Sequence, residues 1–132
     1  MKKGFTLLET MIILVIIGTL AALAWPAYVN TREEMLKKDA WGNLRYLQAA
    51  EKKYHMSHDK AYYPLSDSVS AISQINDNLT MNMPEGGTPA WTYTVYSTGC
   101  VQAQRNLSAG DIWHLHIGDE GDPQSGGCQQ EG

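Results

Sequence analysis

The chain has 132 residues, of which 43% are hydrophobic and 18% charged, and its formal net charge is −4 at pH 7. This length allows one small domain beside a membrane segment. Residues 30–60 carry seven basic and five acidic side chains, whereas residues 61–132 carry one basic and eight acidic ones, a balance of −7. Such an acidic distal half argues against nucleic-acid binding by this chain alone.

The first predicted element is an apolar helix. Lys2, Lys3 and Gly4 precede an almost unbroken apolar run over residues 5–28, in which Glu9 is the only carboxylate or amine. As one helix this run is about 36 Å long, enough to cross a hydrocarbon core of about 30 Å. A carboxylate costs about 2.5–3.5 kcal/mol at mid-membrane and less near the end of the segment. Glu9 therefore needs a partner, and a new amine made by cutting after Gly4 is the candidate.

These residues carry a family resemblance. Gly4-Phe5-Thr6-Leu7-Leu8-Glu9, the apolar run through Gly18 and then Pro26-Ala27-Tyr28 resemble the class III signal of type IV pilins and their pseudopilin relatives. The resemblance implies that a prepilin peptidase cuts after Gly4 and that the new first residue, Phe5, is N-methylated. It also implies that Glu9 acts in assembly. The close match covers the first 28 residues, and the remainder matches in layout only.

A different processing event fits part of the same stretch. Two lysines, an apolar core and Ala22-Leu23-Ala24 also suit an ordinary secretory signal cut after Ala24, which would release a soluble domain beginning at Trp25. Against this alternative, Glu9 lies inside the apolar region, and that region is longer than the usual 7–15 residues or so. The pilin-like interpretation is therefore preferred.

The helix is expected to continue past the apolar run. Pro26 lacks the N–H that would bond the Ala22 carbonyl, so we expect a kink there, and Gly18 weakens the helix by about 1 kcal/mol relative to alanine. In filaments of the resembling family the corresponding segment loses helical order. Beyond it, the spacing of apolar residues over 29–58 predicts an amphipathic helix. Its predicted stripe consists of Leu36, Ala40, Leu44, Leu47 and Tyr54.

The distal half is expected to form a small sheet. Residues 59–90 are rich in turn-forming residues, with a short helix or turn at 69–75. Apolar residues then recur with a period of two, which predicts strands. The predicted strands cover 91–96, 101–105 and 112–117, with a turn at 106–110 and an aperiodic tail over 118–132. Short connections favour an antiparallel meander with one face against the helix.

The predicted fold class is α+β, and the family resemblance implies the type IV pilin fold. Its predicted parts are a leader (1–4), a membrane helix (5–28), an amphipathic helix (29–58), a connecting loop (59–90) and a sheet with a C-terminal disulfide loop (91–132). Cys100 and Cys128 allow one intramolecular pairing, which suits an oxidising compartment. The loop of about 29 residues is worth about 3.5 kcal/mol in the chain-entropy model.

Possible metal ligands are sparse. His114 and His116 are two apart on a predicted strand and share a face, but no third ligand is evident, so an exposed pair is the preferred interpretation. His55 and His58 near the helix end are treated in the same way. Asp119, Glu120 and Asp122 could offer oxygens to Ca²⁺, as a comparable loop does in the major pseudopilins that the chain resembles. A solvated turn is preferred, so no cofactor is predicted.

The resemblance implies a structural subunit of a type IV pilus, with a type II secretion pseudopilin or a minor pilin as the alternative. No nucleophile–base set is visible, so an enzyme is not expected. The chain would sit in the inner membrane as a single-pass monomer, then join a periplasm-spanning or extracellular helical homo-oligomer. Its expected partners are prepilin peptidase and the pilus or secretion assembly machinery. The Cys100–Cys128 loop resembles the disulfide-bounded region of type IV pilins.

Overall fold

The computed structural model describes residues 4–84, 90–106 and 111–128. The chain divides into two compact units, one ending at Leu36 and the other beginning at Lys37. The first helix, α1 (Leu7–Ser57), contributes to both units, and the second helix, α2 (Ile72–Leu79), lies in the second. The long helix predicted from Phe5 is therefore confirmed, with its first helical residue at Leu7.

The first unit is a helix with an apolar exterior. Its large apolar side chains are exposed along the whole run, among them Phe5 at 77% and Leu23 at 76%. Pro26 lies inside the helix, which continues on both sides of it. The continuity through Pro26 follows the prediction, and the kink at this residue stays a prediction.

The second unit is built on the apolar stripe of α1. Ala40, Leu44 and Leu47 are fully buried, as the helical spacing predicted. They belong to one hydrophobic core with residues of the sheet and of α2, including Ile75. The ends of the predicted stripe, Leu36 and Tyr54, are only half-buried. The stripe thus packs against the sheet mainly along two turns of the helix, from Ala40 to Leu47.

The sheet is antiparallel and has five strands in sequence order within the described residues. The strands are β1 (Ser68–Val69), β2 (Trp91–Tyr96), β3 (Cys100–Arg105), β4 (Ile112–His116) and β5 (Gln124–Ser125). In β2 the predicted alternation is confirmed, because Trp91, Tyr93 and Val95 are buried while Thr92 is exposed. The three central strands occur where the period of two indicated them.

The two edge strands and α2 differ from the sequence interpretation. The region taken as a connecting loop contains β1 and α2, and the short helix begins at Ile72 and reaches Leu79 instead of covering 69–75. Ile75 and Leu79 are one turn apart and both are buried, so packing sets this position. In the tail, β5 pairs with β4, although two residues are too few for a periodic signal. Residues 107–110, most of the predicted turn, lie outside the described residues.

A disulfide closes the tail onto the sheet. Cys100 and Cys128 are bonded, with their Cα atoms 6.1 Å apart, as predicted. Cys100 is fully buried and is the first residue of β3, so the tail is attached to the central strand of the sheet and not to an edge strand. The backbone N–H of Cys128 also donates to Oε1 of the buried Gln102, 3.0 Å away. Covalent and polar contacts together fix residues 126–128 against the sheet.

One buried side chain on the helical stripe is a carboxylic acid. Glu51 is fully buried, and its Oε1 accepts a 2.7 Å hydrogen bond from the backbone N–H of Tyr63. Its Oε2 is buried and has no hydrogen-bond partner among the described residues. Burial raises the pKa of Glu51 from 4.5 to about 7, and the Tyr63 hydrogen bond opposes part of that rise. Glu51 continues the helical spacing of Leu44 and Leu47, but a charged residue was not expected there.

We expect Cys128→Ser to lower the free energy of unfolding of the full-length chain in detergent by a few kcal/mol at most. The loss follows from the larger entropy of the unlinked unfolded chain, and measured values commonly fall short of the entropic figure. Denaturant titration with and without reductant measures the effect, and reduction should affect the wild type but not the variant. Two thiols open to alkylation in unreduced, denatured protein would contradict the bond.

Stability should fall as pH rises through the range in which Glu51 ionises. Its folded pKa lies above the unfolded value, so the folded state holds the proton longer and the contribution of this group declines from about pH 4.5 to about 7. At about 1.4 kcal/mol per pH unit, the loss is of the order of 3 kcal/mol.

Glu51→Gln keeps an oxygen for Tyr63 N–H but cannot ionise, so it should flatten this part of the profile. The exposed Glu34, on the same helix, supplies the matched control Glu34→Gln. Denaturant unfolding at pH 5, 6, 7 and 8 checks the expectation. A slope that is equal in the wild type and Glu51→Gln would show that Glu51 is not its source.

Candidate functional site

The residues around the predicted cleavage site lie just before the helix begins. Gly4, Phe5 and Thr6 have no regular secondary structure, and α1 starts at Leu7. All three residues are exposed. Exposed, non-helical backbone is the kind of segment on which proteolytic cleavage concentrates. The bond between Gly4 and Phe5 is thus sterically open in this chain.

Thr6 caps the helix, which the sequence interpretation missed. Its Oγ1 accepts a hydrogen bond from the backbone N–H of Glu9 at 3.3 Å, and its carbonyl accepts one from the N–H of Thr10 at 3.2 Å. A threonine followed three residues later by a glutamate is the capping-box pattern. The sequence Thr6-Leu7-Leu8-Glu9 has this spacing, so the cap could have been predicted from the sequence. Glu9 therefore stands at the third helical position, next to the cap.

The carboxylate of Glu9 lies in the first turn of α1 and is exposed. A negative charge there is favoured by the helix dipole and by the unpaired N–H groups of the first turn. After a cut behind Gly4, the new amine of Phe5 would stand four residues before Glu9, about one helical turn away. An amine at Phe5 would therefore lie within about one turn of Glu9 on the same chain.

Within the helix, the hydroxyl groups are satisfied by the backbone. Oγ1 of Thr10 donates to the carbonyl of Thr6 at 3.0 Å, and Oγ1 of Thr19 donates to the carbonyl of Ile16 at 2.9 Å. A hydroxyl without such a bond is costly in hydrocarbon, and back-bonding to the preceding turn removes that cost. These two threonines are therefore compatible with an apolar environment.

The apolar surface of the helix is long enough to cross a membrane, and none of its most apolar stretch is buried inside the protein. A shallow groove along it is lined only by apolar side chains, and it has a volume of about 360 Å³. The lining side chains are Leu8, Met11, Ile12, Val15 and Ile16. Gly18 and Pro26, the predicted weak points, both lie within α1 beyond this groove.

Two of the three carboxylates considered for Ca²⁺ have protein partners. Oδ1 of Asp122 forms an ion pair of 2.6 Å with Arg45, and Oδ2 of Asp119 accepts the backbone N–H of His116 at 2.9 Å. The third, Glu120, is exposed. Calcium at this loop would have to compete with the Arg45 guanidinium. The described residues contain no group of three or more His, Cys, Asp or Glu side chains arranged for a metal.

The two histidine pairs have different surroundings. His114 and His116 share one face of β4, and their ring centres are 5.6 Å apart. In contrast, His55 stacks on Tyr62 at 4.4 Å, and His58 stacks on Tyr54 at 4.0 Å. The pair on α1 is thus engaged in aromatic packing, whereas the pair on β4 lines a pocket.

Comparisons with known proteins agree with the N-terminal geometry. Residues 1–25 match the family described as the prokaryotic N-terminal methylation motif. The chain is 38% identical over 59 residues to the type IV major pilin protein PilA of Myxococcus xanthus, covering 45% of this chain and 27% of PilA. It is 34% identical over 91 residues to the type II secretion system core protein G of Klebsiella pneumoniae, covering 65% of this chain and 62% of protein G.

A third relative is the fimbrial protein EcpC of Eikenella corrodens, 31% identical over 102 residues, covering 74% of this chain and 65% of EcpC. The aligned part spans less than two thirds of each of these relatives. The methylation motif, the exposed apolar helix and these similarities fit a protein that is anchored in the inner membrane by its N-terminal helix. The long N-terminal helix, the small antiparallel sheet and the disulfide agree with the type IV pilin fold. The chain thus begins with the prokaryotic N-terminal methylation motif and is similar, over about half to three quarters of its length, to type IV pilins and to a type II secretion core protein.

Proposed function

We propose that this chain is a structural subunit of a type IV pilus and polymerises through its N-terminal helix into a surface filament. The observation that carries the proposal is the motif Gly4–Glu9 at the head of an apolar helix whose side chains are exposed. Such a surface is stable only in lipid or against other apolar helices. A membrane covers it in the monomer, and neighbouring copies cover it in the filament.

In this proposal, residues 1–4 are a leader that prepilin peptidase removes, and Phe5 becomes the N-methylated first residue. Residues 5–28 then form the membrane and assembly helix. Residues 29–58 continue it into the head, where the sheet and the disulfide loop pack. Gly18 and Pro26 bound the stretch that would lose helical order on assembly, because each weakens helical hydrogen bonding or stiffness locally.

Glu9 is proposed to select the axial register of an incoming subunit. In apolar surroundings an unpaired carboxylate and an unpaired amine are each costly, and their attraction strengthens as the dielectric falls. A subunit in the correct register would neutralise its Glu9 against the Phe5 amine of the subunit added before it. In the low dielectric, the correct register is therefore favoured over registers that leave the carboxylate and the amine unpaired.

The alternative within the family is a type II secretion pseudopilin or a minor pilin. The similarity to protein G over 91 residues favours this alternative, whereas the disulfide-closed C-terminal region favours the pilus subunit. Imaging of surface filaments and assay of protein export in a deletion strain separate the two: loss of filaments indicates a pilus subunit, and loss of export with filaments intact indicates a pseudopilin.

The mature protein should begin with N-methylated Phe5. Cleavage after Gly4 is expected because that bond lies in exposed backbone ahead of the helix. Mass spectrometry of the N-terminal peptide from the native host measures this. A mature chain that begins at Trp25 would instead identify a secreted soluble domain cut by ordinary signal peptidase, even though α1 runs unbroken through that point.

Glu9→Leu should leave cleavage and the sheet domain intact yet abolish or sharply reduce filaments, since the new subunit can no longer neutralise the Phe5 amine. Glu9→Asp should be intermediate, because the shorter carboxylate still reaches part of the way. Filament counts by electron microscopy and N-terminal mass spectrometry measure the two effects separately.

Two control variants separate charge from capping. Glu9→Gln retains the capping-box pattern but removes the charge, so it should behave like Glu9→Leu. Thr6→Ala removes the Oγ1 cap but leaves the Glu9 charge, so it should retain filaments, with a helix weakened by about 1 kcal/mol. Filaments at wild-type numbers in Glu9→Gln, together with their loss in Thr6→Ala, would show that Glu9 acts in capping and not in ion pairing.

A further inference from the structure

A pocket outside the N-terminal helix lies at the β4–β5 edge of the sheet, and it has a volume of about 620 Å³. It is lined by His114 and His116 on β4, by the tail from Gln124 to Gly127, which includes β5, and by Thr98. Both histidines are half-buried, so the pocket is open to solvent and lined mainly by polar groups.

The ring of His114 is held in one tautomer. Its Nδ1 lies 2.9 Å from the carbonyl oxygen of Gly126. A carbonyl can only accept, so Nδ1 of the neutral ring carries the proton and Nε2 presents a lone pair. Metal-bound histidines characteristically donate their second ring N–H to a carbonyl or carboxylate in this way. His114 is thus oriented as a ligand before any metal arrives.

The tail that supplies this carbonyl is itself fixed. Gly126 has φ of +113°, a conformation that favours glycine, and its N–H donates to the carbonyl of Ile112 at 2.8 Å. Ser125 pairs with Trp113 across β4 and β5, and Cys128 is held by the disulfide. The Gly126 carbonyl therefore keeps its place beside His114.

The backbone of His116 is anchored while its ring is not. Its N–H donates to the carboxylate of Asp119 at 2.9 Å, and its carbonyl accepts a hydrogen bond from the side chain of Gln48. Among the described residues its ring contacts His114 edge-on, and neither ring nitrogen is buried without a partner. A nitrogen of His116 is therefore available to share a ligand with Nε2 of His114.

The spacing of the rings suits one shared ion. A metal about 2.0 Å from a ring nitrogen lies about 3.1 Å from the ring centre, so two rings on one ion have centres about 4.4–6.2 Å apart. The observed separation of 5.6 Å falls within that range. Both rings can bind one ion with little movement of the strand.

We propose that His114 and His116 bind a divalent transition-metal ion, and Cu²⁺ most tightly. Two imidazole nitrogens, with water in the remaining positions, make the tetragonal nitrogen–oxygen set that Cu²⁺ prefers. Structural Zn²⁺ sites use four protein ligands, and Ca²⁺ requires a shell of oxygen ligands. Zn²⁺ and Ni²⁺ should bind more weakly in the usual order of affinities, and Ca²⁺ should not bind here.

The test is titration of metal-free, full-length protein in detergent with Cu²⁺, followed by electron paramagnetic resonance and calorimetry. The wild type should bind one Cu²⁺ per chain at this site, with splitting from two imidazole nitrogens. His114→Gln and His116→Gln should each weaken binding about tenfold or more and lose one nitrogen from the spectrum. His58→Gln, which alters a stacked histidine elsewhere, is the matched control and should retain wild-type binding.

A second measurement needs no variant, so it holds even if a substitution disturbs folding. In ¹⁵N spectra of the wild-type protein, the first substoichiometric Cu²⁺ should broaden the resonances of His114, His116 and Gly126 before any others. Broadening centred on His55 and His58 or on the acidic loop would overturn the assignment. Wild-type affinity in both His114→Gln and His116→Gln, or no saturable binding at all, would overturn it as well.

Discussion

The apolar surface of the first unit must be covered by lipid or by other apolar helices. From Phe5 to Val29 the large apolar side chains are exposed, and among the described residues of this unit no other element covers them. Water is a poor environment for such a surface, since each buried CH₂ is worth about 0.8 kcal/mol. The backbone and the two threonine hydroxyls are already satisfied within the helix, so lipid or neighbouring helices can replace water without loss of hydrogen bonds.

The second unit, which begins at Lys37, is held together by a small hydrophobic core. Its sheet packs on a short stripe of α1, and the tail has too few apolar residues to attach by burial alone. The disulfide and the hydrogen bond from Cys128 to Gln102 hold it instead, and the Gly126 carbonyl lies beside His114. The disulfide that stabilises this unit thus also shapes the histidine pocket.

Glu51 lowers the stability of this unit at higher pH, because a buried carboxylic acid weakens the core as it ionises.

At the N-terminus one short motif carries several roles. Thr6 Oγ1 accepts a hydrogen bond from one of the N–H groups of the first turn, and Glu9 contributes a favourable charge to the same turn. The same carboxylate is the only one in the apolar run, so its need for a partner grows as water is removed. The two roles use different atoms, since the cap is the Thr6 Oγ1 hydrogen bond and the proposed assembly step uses the Glu9 carboxylate.

Much of this architecture follows from the sequence alone, because the relevant signals are local. Period and length predicted α1 and the three central strands, and the Gly4–Glu9 motif with two cysteines indicated the resemblance to type IV pilins and the disulfide. The edge strands β1 and β5 were not predictable, since two residues carry no period and form a strand only through their neighbours. The predicted stripe left out Glu51, although it lies in phase with Leu44 and Leu47, because its partner is the backbone N–H of Tyr63, which only the fold brings to it. Only the tertiary structure brought Arg45 to Asp122 and Gly126 to His114, since these contacts join residues that are 77 and 12 positions apart. The folding of the chain sets the distances of these two contacts, and no local sequence pattern indicates them.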